Sequence, residues 1–139
     1  MSKPSIVFDS NALISALMYP SSVSASALIQ AAKQFQLVAS DATWAELEVV
    51  SGRKKFAKYW NEQSRLVFLT ELAAMTDFCT TQTVITACKD ASDNKFLELA
   101  IDAKAKVIIS GDADLRLLHP FQGLAIISPS DFLGLLSSD

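Results

Sequence analysis

Histidine is nearly absent: His119 is the single one among 139 residues. That excludes histidine-rich metal centres and weakens any Ser-His-Asp triad. Cysteine is scarce as well. Cys79 and Cys88 are too few for a disulfide scaffold or a cysteine-built zinc site. They read as reduced thiols of a cytoplasmic protein. Four glycines and four prolines exclude collagen-like and linker-like chains. No apolar run approaches the ~18 residues that a spanning helix requires. Met1-Ser2-Lys3-Pro4 leads into a short apolar run that meets Asp9, which is not the pattern of an export signal. Positive charge is not in excess either: 15 acids against 12 bases leave a net charge of −3. A protein that grips nucleic acid by bulk charge would look different, so any such role needs a local basic patch or metal ions that cancel local acids.

What is abundant is apolar content, 50% of the chain. With no repeat, linker or composition shift, residues 1–139 read as one domain. Short apolar runs alternate with helical patterns. Strands are expected at Ser5 to Phe8, Leu37 to Ala39, within Asp77 to Thr86, at Val107 to Ile109 and at Leu124 to Ile127. Helices are expected over Asn11 to Met18, Ser24 to Gln34, from a Ser40 or Asp41 cap to about Val50, over Glu62 to Met75 with Leu66, Leu69 and Ala73 inward, from Asp90 to Lys104, and from Pro129 after a Ser128 cap. Continuously apolar strands separated by helices predict an α/β protein. The expected form is a three-layer α/β/α sandwich around a mostly parallel sheet of about five strands.

In such sheets ligands gather at the carboxyl ends of the strands. Asp9 directly follows the first strand and Asp112 the fourth. Asp93 falls in the first turn of a helix, and Glu46 about a turn into the helix after the second strand. These four carboxylates can converge on one rim, and Asp114 can reach the same cluster. Clustered like charges raise one another's pKa values. A hard divalent cation such as magnesium, which favours carboxylates, water and phosphate oxygens, would relieve them. A single Asp after a strand is usually a helix cap, and Asp41 and Asp90 fit that role. Asp93 also favours its helix dipole. Glu48 lies about 200° around the helix from Glu46, so at most one of the two faces the site. His119 reads as a helix-end residue. Trp44, Phe56 and Trp60 read as packing. Arg53-Lys54-Lys55, with Lys58 nearby, is either a solvated loop or a contact to a phosphate backbone.

At these residues the chain resembles the PIN-domain nucleases, over nearly its whole length. Ile6-Val7-Phe8-Asp9-Ser10-Asn11 is similar to the family's opening strand. Glu46-Leu47, ahead of Arg53-Lys54-Lys55-Phe56, is similar to its second acidic position and basic tail. Asp90-Ala91-Ser92-Asp93-Asn94-Lys95 and Ser110-Gly111-Asp112-Ala113-Asp114 resemble the third and fourth motifs. Ile127-Ser128-Pro129-Ser130-Asp131-Phe132-Leu133 resembles a closing pattern of the subgroup of toxin components.

The resemblance implies a metal-dependent endoribonuclease of the VapC-like toxin class, working beside a cognate antitoxin and able to pair as a homodimer. Carried over, Asp9, Glu46, Asp93 and Asp112 form the catalytic tetrad. Asp9, Asp93, Asp112 and Asp114 hold Mg²⁺ or Mn²⁺. Asn11 and Ser110 orient those carboxylates, while Arg53, Lys54 and Lys55 contact RNA. Water activated at the metal would attack phosphorus in line and leave a 5′-phosphate. Two other readings stand beside this one. An aspartyl phosphotransfer domain also places Asp at parallel strand ends, but here Asn11 holds the place of a second opening Asp. A module that binds RNA or an antitoxin without cutting would not need the complete tetrad.

Overall fold

The computed structural model describes residues 3–137. The outermost two residues at each end of the expected domain lie outside it. The order of elements is β1 (Ser5–Phe8), α1 (Ser10–Met18), α2 (Val23–Gln34), β2 (Gln36–Ala39), α3 (Asp41–Ser51), α4 (Glu62–Ala74), β3 (Thr76–Phe78), α5 (Asn94–Asp102), β4 (Val107–Ile109), α6 (Ala113–Arg116), β5 (Ala125–Ile127) and α7 (Pro129–Ser137). Single 3-10 turns at Lys54–Phe56 and Ala91–Asp93 precede α4 and α5.

The five strands form one parallel sheet in the order β3-β2-β1-β4-β5. Alternation along each strand divides the core. Ile6, Phe8, Leu37, Val107 and Ile109 face a layer built from α1, α2, α3, α4 and α7. Val7, Val38, Ile108 and Ile126 face α5 and α6. Both faces of the sheet centre are therefore covered, and β1, β2, β4 and β5 read as mainly apolar runs for that reason, whereas the edge strand β3 is largely exposed. The expected three-layer α/β/α architecture is present, with every strand pair parallel. The chain leaves β1 toward β2 on one side and reaches β4 on the other. The crevice between the carboxyl ends of β1 and β4 is thus a topological switch point.

Capping follows the sequence closely. Ser22, Ser40 and Asn61 accept amide hydrogen bonds at the starts of α2, α3 and α4, and Ser128 accepts from Asp131 in α7. Ser40 and Thr43 form a reciprocal capping box, so Ser40 rather than Asp41 is the cap. Gly52 closes α3.

Three expectations are corrected. The strand expected within Asp77 to Thr86 is confined to Thr76–Phe78. Beyond it the chain runs beside α5, and carboxylates replace strand partners. Asp102 accepts from the amides of Gln82 and Thr83, and Glu98 from that of Ile85. The helix expected from Asp90 opens as a 3-10 turn and becomes α-helical at Asn94. In α4 the buried stripe is Leu69 and Leu72, whereas Leu66 is exposed. No single helix among the described residues is long and apolar enough to cross a membrane.

Candidate active site

A polar cleft of about 240 Å³ opens at the switch point. Asp9, Glu46, Asp93 and Asp112 all line it, with Ser10, Asn11, Asp90, Arg53, Lys55 and Phe56 among its other walls. Each carboxylate arrives by a local rule. Asp9 ends β1 and caps α1, its Oδ1 accepting from Ala12 N at 2.8 Å. Asp112 follows β4 and caps α6, its Oδ1 accepting from Asp114 N at 2.9 Å. Asp93 stands at the junction of the 3-10 turn and α5 without capping with its side chain, which leaves its carboxyl free for the cleft. Glu46 projects from α3 and is half-buried, while Glu48 on the same helix is exposed.

Asp9 is almost fully buried. Ser110 Oγ donates to its Oδ2 at 2.6 Å, and Gly111 N reaches both oxygens at 3.2 Å. Burial pushes the Asp9 carboxyl above its ordinary value of 3.8, and the Asp112 charge adds to the rise, while the donors from Ser110, Ala12 and Gly111 pull it back. Ser110 also accepts from Asp112 N at 2.9 Å, and Arg116 donates to the Ser110 carbonyl at 2.9 Å. One hydroxyl thereby ties the ends of β1 and β4 together. A Cβ on Gly111 would come within 3.2 Å of Asn11 Cβ, so this crossing is tight.

The Asp93 and Asp112 carboxyls are within hydrogen-bonding reach of each other. Burial, followed by that bond and the charge of Asp112, pushes Asp93 up to about 7, with smaller contributions from Asp90 and Glu46. Two carboxyls this close repel when both are ionised, which favours the protonated form of Asp93. Glu46 is held differently. Ser10 Oγ donates to Oε2 at 2.5 Å, and Lys95 Nζ to Oε1 at 2.9 Å.

Several sequence-derived candidates sit elsewhere. Asp114 is exposed and does not line the cleft; its backbone amide, not its carboxylate, faces Asp112. Lys54 is likewise outside the lining, while Arg53 and Lys55 belong to it. Asn11 lines the cleft, but its neighbour Ser10 makes the carboxylate contact. Ser10 and Lys95 lie inside the first and third motifs, but the sequence does not reveal that both meet Glu46. Asp90 caps the 3-10 turn through Ser92. His119 Nδ1 accepts from Ile126 N at 2.9 Å and is spent on β5. Phe56 and Trp60 stack at 5.1 Å beneath the basic turn. Trp44 packs edge-on against Phe78.

The sequence model of the PIN domain matches residues 5–114, the span that carries all four carboxylates. The chain belongs to the PIN domain family. An uncharacterized protein of Methanocaldococcus jannaschii is 30% identical over 115 residues, covering 81% of this chain and 74% of that protein. The fold of this PIN domain is similar to that of VapBC2 from Rickettsia felis, solved bound to a DNA fragment from their promoter. That match has a TM-score of 0.60 at 16% identity and covers 88% of this chain and 96% of that one. It is also similar to PAE2754 from Pyrobaculum aerophilum, with a TM-score of 0.63 at 12% identity, covering 96% and 90%.

A divalent cation fits the donor chemistry of this PIN domain site. The cleft offers hard carboxylate oxygens and neither thiolate nor imidazole, which suits Mg²⁺ or Mn²⁺. The mutual repulsion of Asp93 and Asp112 is what a cation between them would relieve. Among the described residues no three acid, histidine or cysteine side chains stand gathered as ligands of one ion. Asp9 already accepts from Ala12, Ser110 and Gly111, and Glu46 from Ser10 and Lys95.

Proposed function

We propose that this PIN domain is a metal-dependent endoribonuclease, one catalytic unit over residues 1–139, and the toxin of a type II toxin–antitoxin pair acting in the cytoplasm. The observation that carries the reading is the placement of Asp93 and Asp112 within hydrogen-bonding reach of each other, beside buried Asp9, at the switch point of the sheet. Structural carboxylates are kept apart or paired with cations. Two acids held together in an open cleft favour a cation and an anionic substrate that completes its shell.

Asp9, Asp93 and Asp112 would hold Mg²⁺ or Mn²⁺, which, when bound, supplies a Lewis acid to polarise water and neutralise charge on the departing oxygen. The protein's own groups do the rest. Ser110 and the Gly111 amide fix the Asp9 oxygens. Glu46, oriented by Ser10 and Lys95, stands as proton acceptor or as a ligand through water. Arg53 and Lys55 offer positive charge at the cleft wall for the RNA phosphates. The likeness to VapBC2 and the closing motif around Asp131 support a cognate antitoxin as partner.

The test is cleavage of labelled single-stranded RNA in Mg²⁺ or Mn²⁺. Cleavage should stop in EDTA and return with added metal. Undiminished cleavage in excess EDTA overturns the metal reading. Labelling of the protein by acetyl phosphate would favour aspartyl phosphotransfer instead.

A further inference from the structure

Beyond the acid cleft runs a line of aromatic rings that the proposed chemistry does not use. Phe56, in the cleft wall, stacks on Trp60 at 5.1 Å. Trp60 lies 6.3 Å from Tyr59, and Tyr59 meets Tyr19 edge to face at 5.9 Å. The first two rings are buried, whereas Tyr59 is 40% and Tyr19 52% exposed. Burial explains Phe56 and Trp60, whose indole N–H is also anchored on the Ser51 carbonyl at 3.0 Å. It does not explain two adjacent tyrosines left open to water at the end of the line.

Charge follows the same path. Arg53, Lys54, Lys55 and Lys58 fall between Gly52 and Asn61, a stretch without an acid in a chain of net charge −3. Lys55 Nζ lies 5.1 Å from the Phe56 ring centroid, and Lys58 Nζ lies 5.3 Å from that of Tyr59. Rings paired with ammonium groups suit a polymer that alternates flat bases with phosphates. An acidic peptide would use the lysines and leave the tyrosine faces idle.

We propose that Tyr19, Tyr59 and Lys58 form a flanking subsite for single-stranded RNA, in which a base a few nucleotides from the scissile bond stacks on Tyr19 and its phosphate meets Lys58. The proposal rests on the reading that RNA enters the cleft. It deepens that reading by making length and strandedness of the substrate matter. A duplex cannot splay a base onto the ring, so single strands are selected. Tyr59 buttresses Tyr19 from the side, and the Phe56–Trp60 stack holds the turn beneath both.

The experiment measures binding in EDTA by fluorescence anisotropy and cleavage in Mn²⁺, with a trinucleotide, a longer single strand, and the same strand carrying abasic flanks. Wild type should bind the longer strand more tightly than the trinucleotide. The gain should vanish with abasic flanks. Tyr19→Leu with Tyr59→Leu should lose affinity for the longer strand by about fivefold to a hundredfold, with trinucleotide cleavage retained. Tyr19→Phe with Tyr59→Phe should keep the gain, since the rings remain. A length gain that survives abasic flanks or the leucine changes overturns the subsite, as does binding of labelled polyglutamate without any binding of the RNA strand. Cleavage without a tyrosine-dependent gain refutes the subsite alone. A tyrosine-dependent gain without cleavage refutes the nuclease reading alone.

Discussion

Lys95 Nζ lies 2.9 Å from Glu46 Oε1, a contact across 49 positions of sequence that ties α5 to α3 at the rim of the acid cleft. Both side chains are about a quarter exposed. The pair therefore lies between a screened surface bridge and a buried one. It also neutralises one of the four carboxylates without metal.

Removing only the cation should therefore cost more than removing both charges. Lys95→Met leaves Glu46 half-buried with Ser10 alone, and should destabilise by about 1–2 kcal/mol. Adding Glu46→Gln should recover much of that loss. A double-mutant cycle by urea unfolding in EDTA checks it. Strictly additive effects would mean that the two residues do not couple.

The fold was legible because its rules are local. Apolar runs marked four of the five strands, and Ser40 and Gly52 marked the ends of α3. Asp9 and Asp112 were legible because strand ends in parallel sheets are places of chemistry. Lys95 was not, because nothing in Asp93-Asn94-Lys95 reveals a partner 49 residues away. The choice between Ser10 and Asn11 was equally hidden. Neighbours on a helix point about 100° apart, and only the packing of α1 against α3 decides which meets Glu46. The segment after Phe78 misled because threonine and valine favour strands wherever a partner exists. There the partner is a helix whose carboxylates take the amides.

Placement also separates the basic residues. Arg53 and Lys55 line the cleft and Lys54 does not. Charge reversal at Arg53 or Lys55 should flatten the salt dependence of RNA binding by ~0.7 in log–log slope for each phosphate no longer neutralised. Reversal at Lys54 should change it less. Equal slopes across wild type and the three variants would return the whole stretch to a solvated turn.

Asp93 makes stability depend on pH in an unusual direction for an acid. Its folded-state value of about 7 lies above its ordinary 3.8, so the folded protein binds the proton more tightly than the unfolded chain does. The linked stability is fully present below 3.8 and is lost as pH rises through about 7. Asp93→Asn removes this dependence. In EDTA the melting temperature of wild type relative to Asp93→Asn should fall between about pH 4 and about pH 8. A difference that stays flat or rises over that range would show that Asp93 and Asp112 are not pressed together in solution.

Asp112 separates folding from catalysis most cleanly. Its carboxylate both caps α6 and faces Asp93. Asp112→Asn keeps an oxygen that can accept from Asp114 N, so the cap survives. It also replaces a repelling oxygen with an amide that can donate to Asp93. In metal-free buffer the variant should melt at or above the wild-type temperature. With Mg²⁺ the order should narrow or reverse, because ligand-linked stability, about 2.7 kcal/mol at a hundred times Kd, is gained fully only by the wild type. Cleavage should fall by orders of magnitude. A residue that served only as a cap would show the opposite pattern, lower stability in EDTA with cleavage intact. That outcome, read from melting curves and rates on the same preparation, would remove Asp112 from the site and leave Asp9 and Asp93 without their third partner.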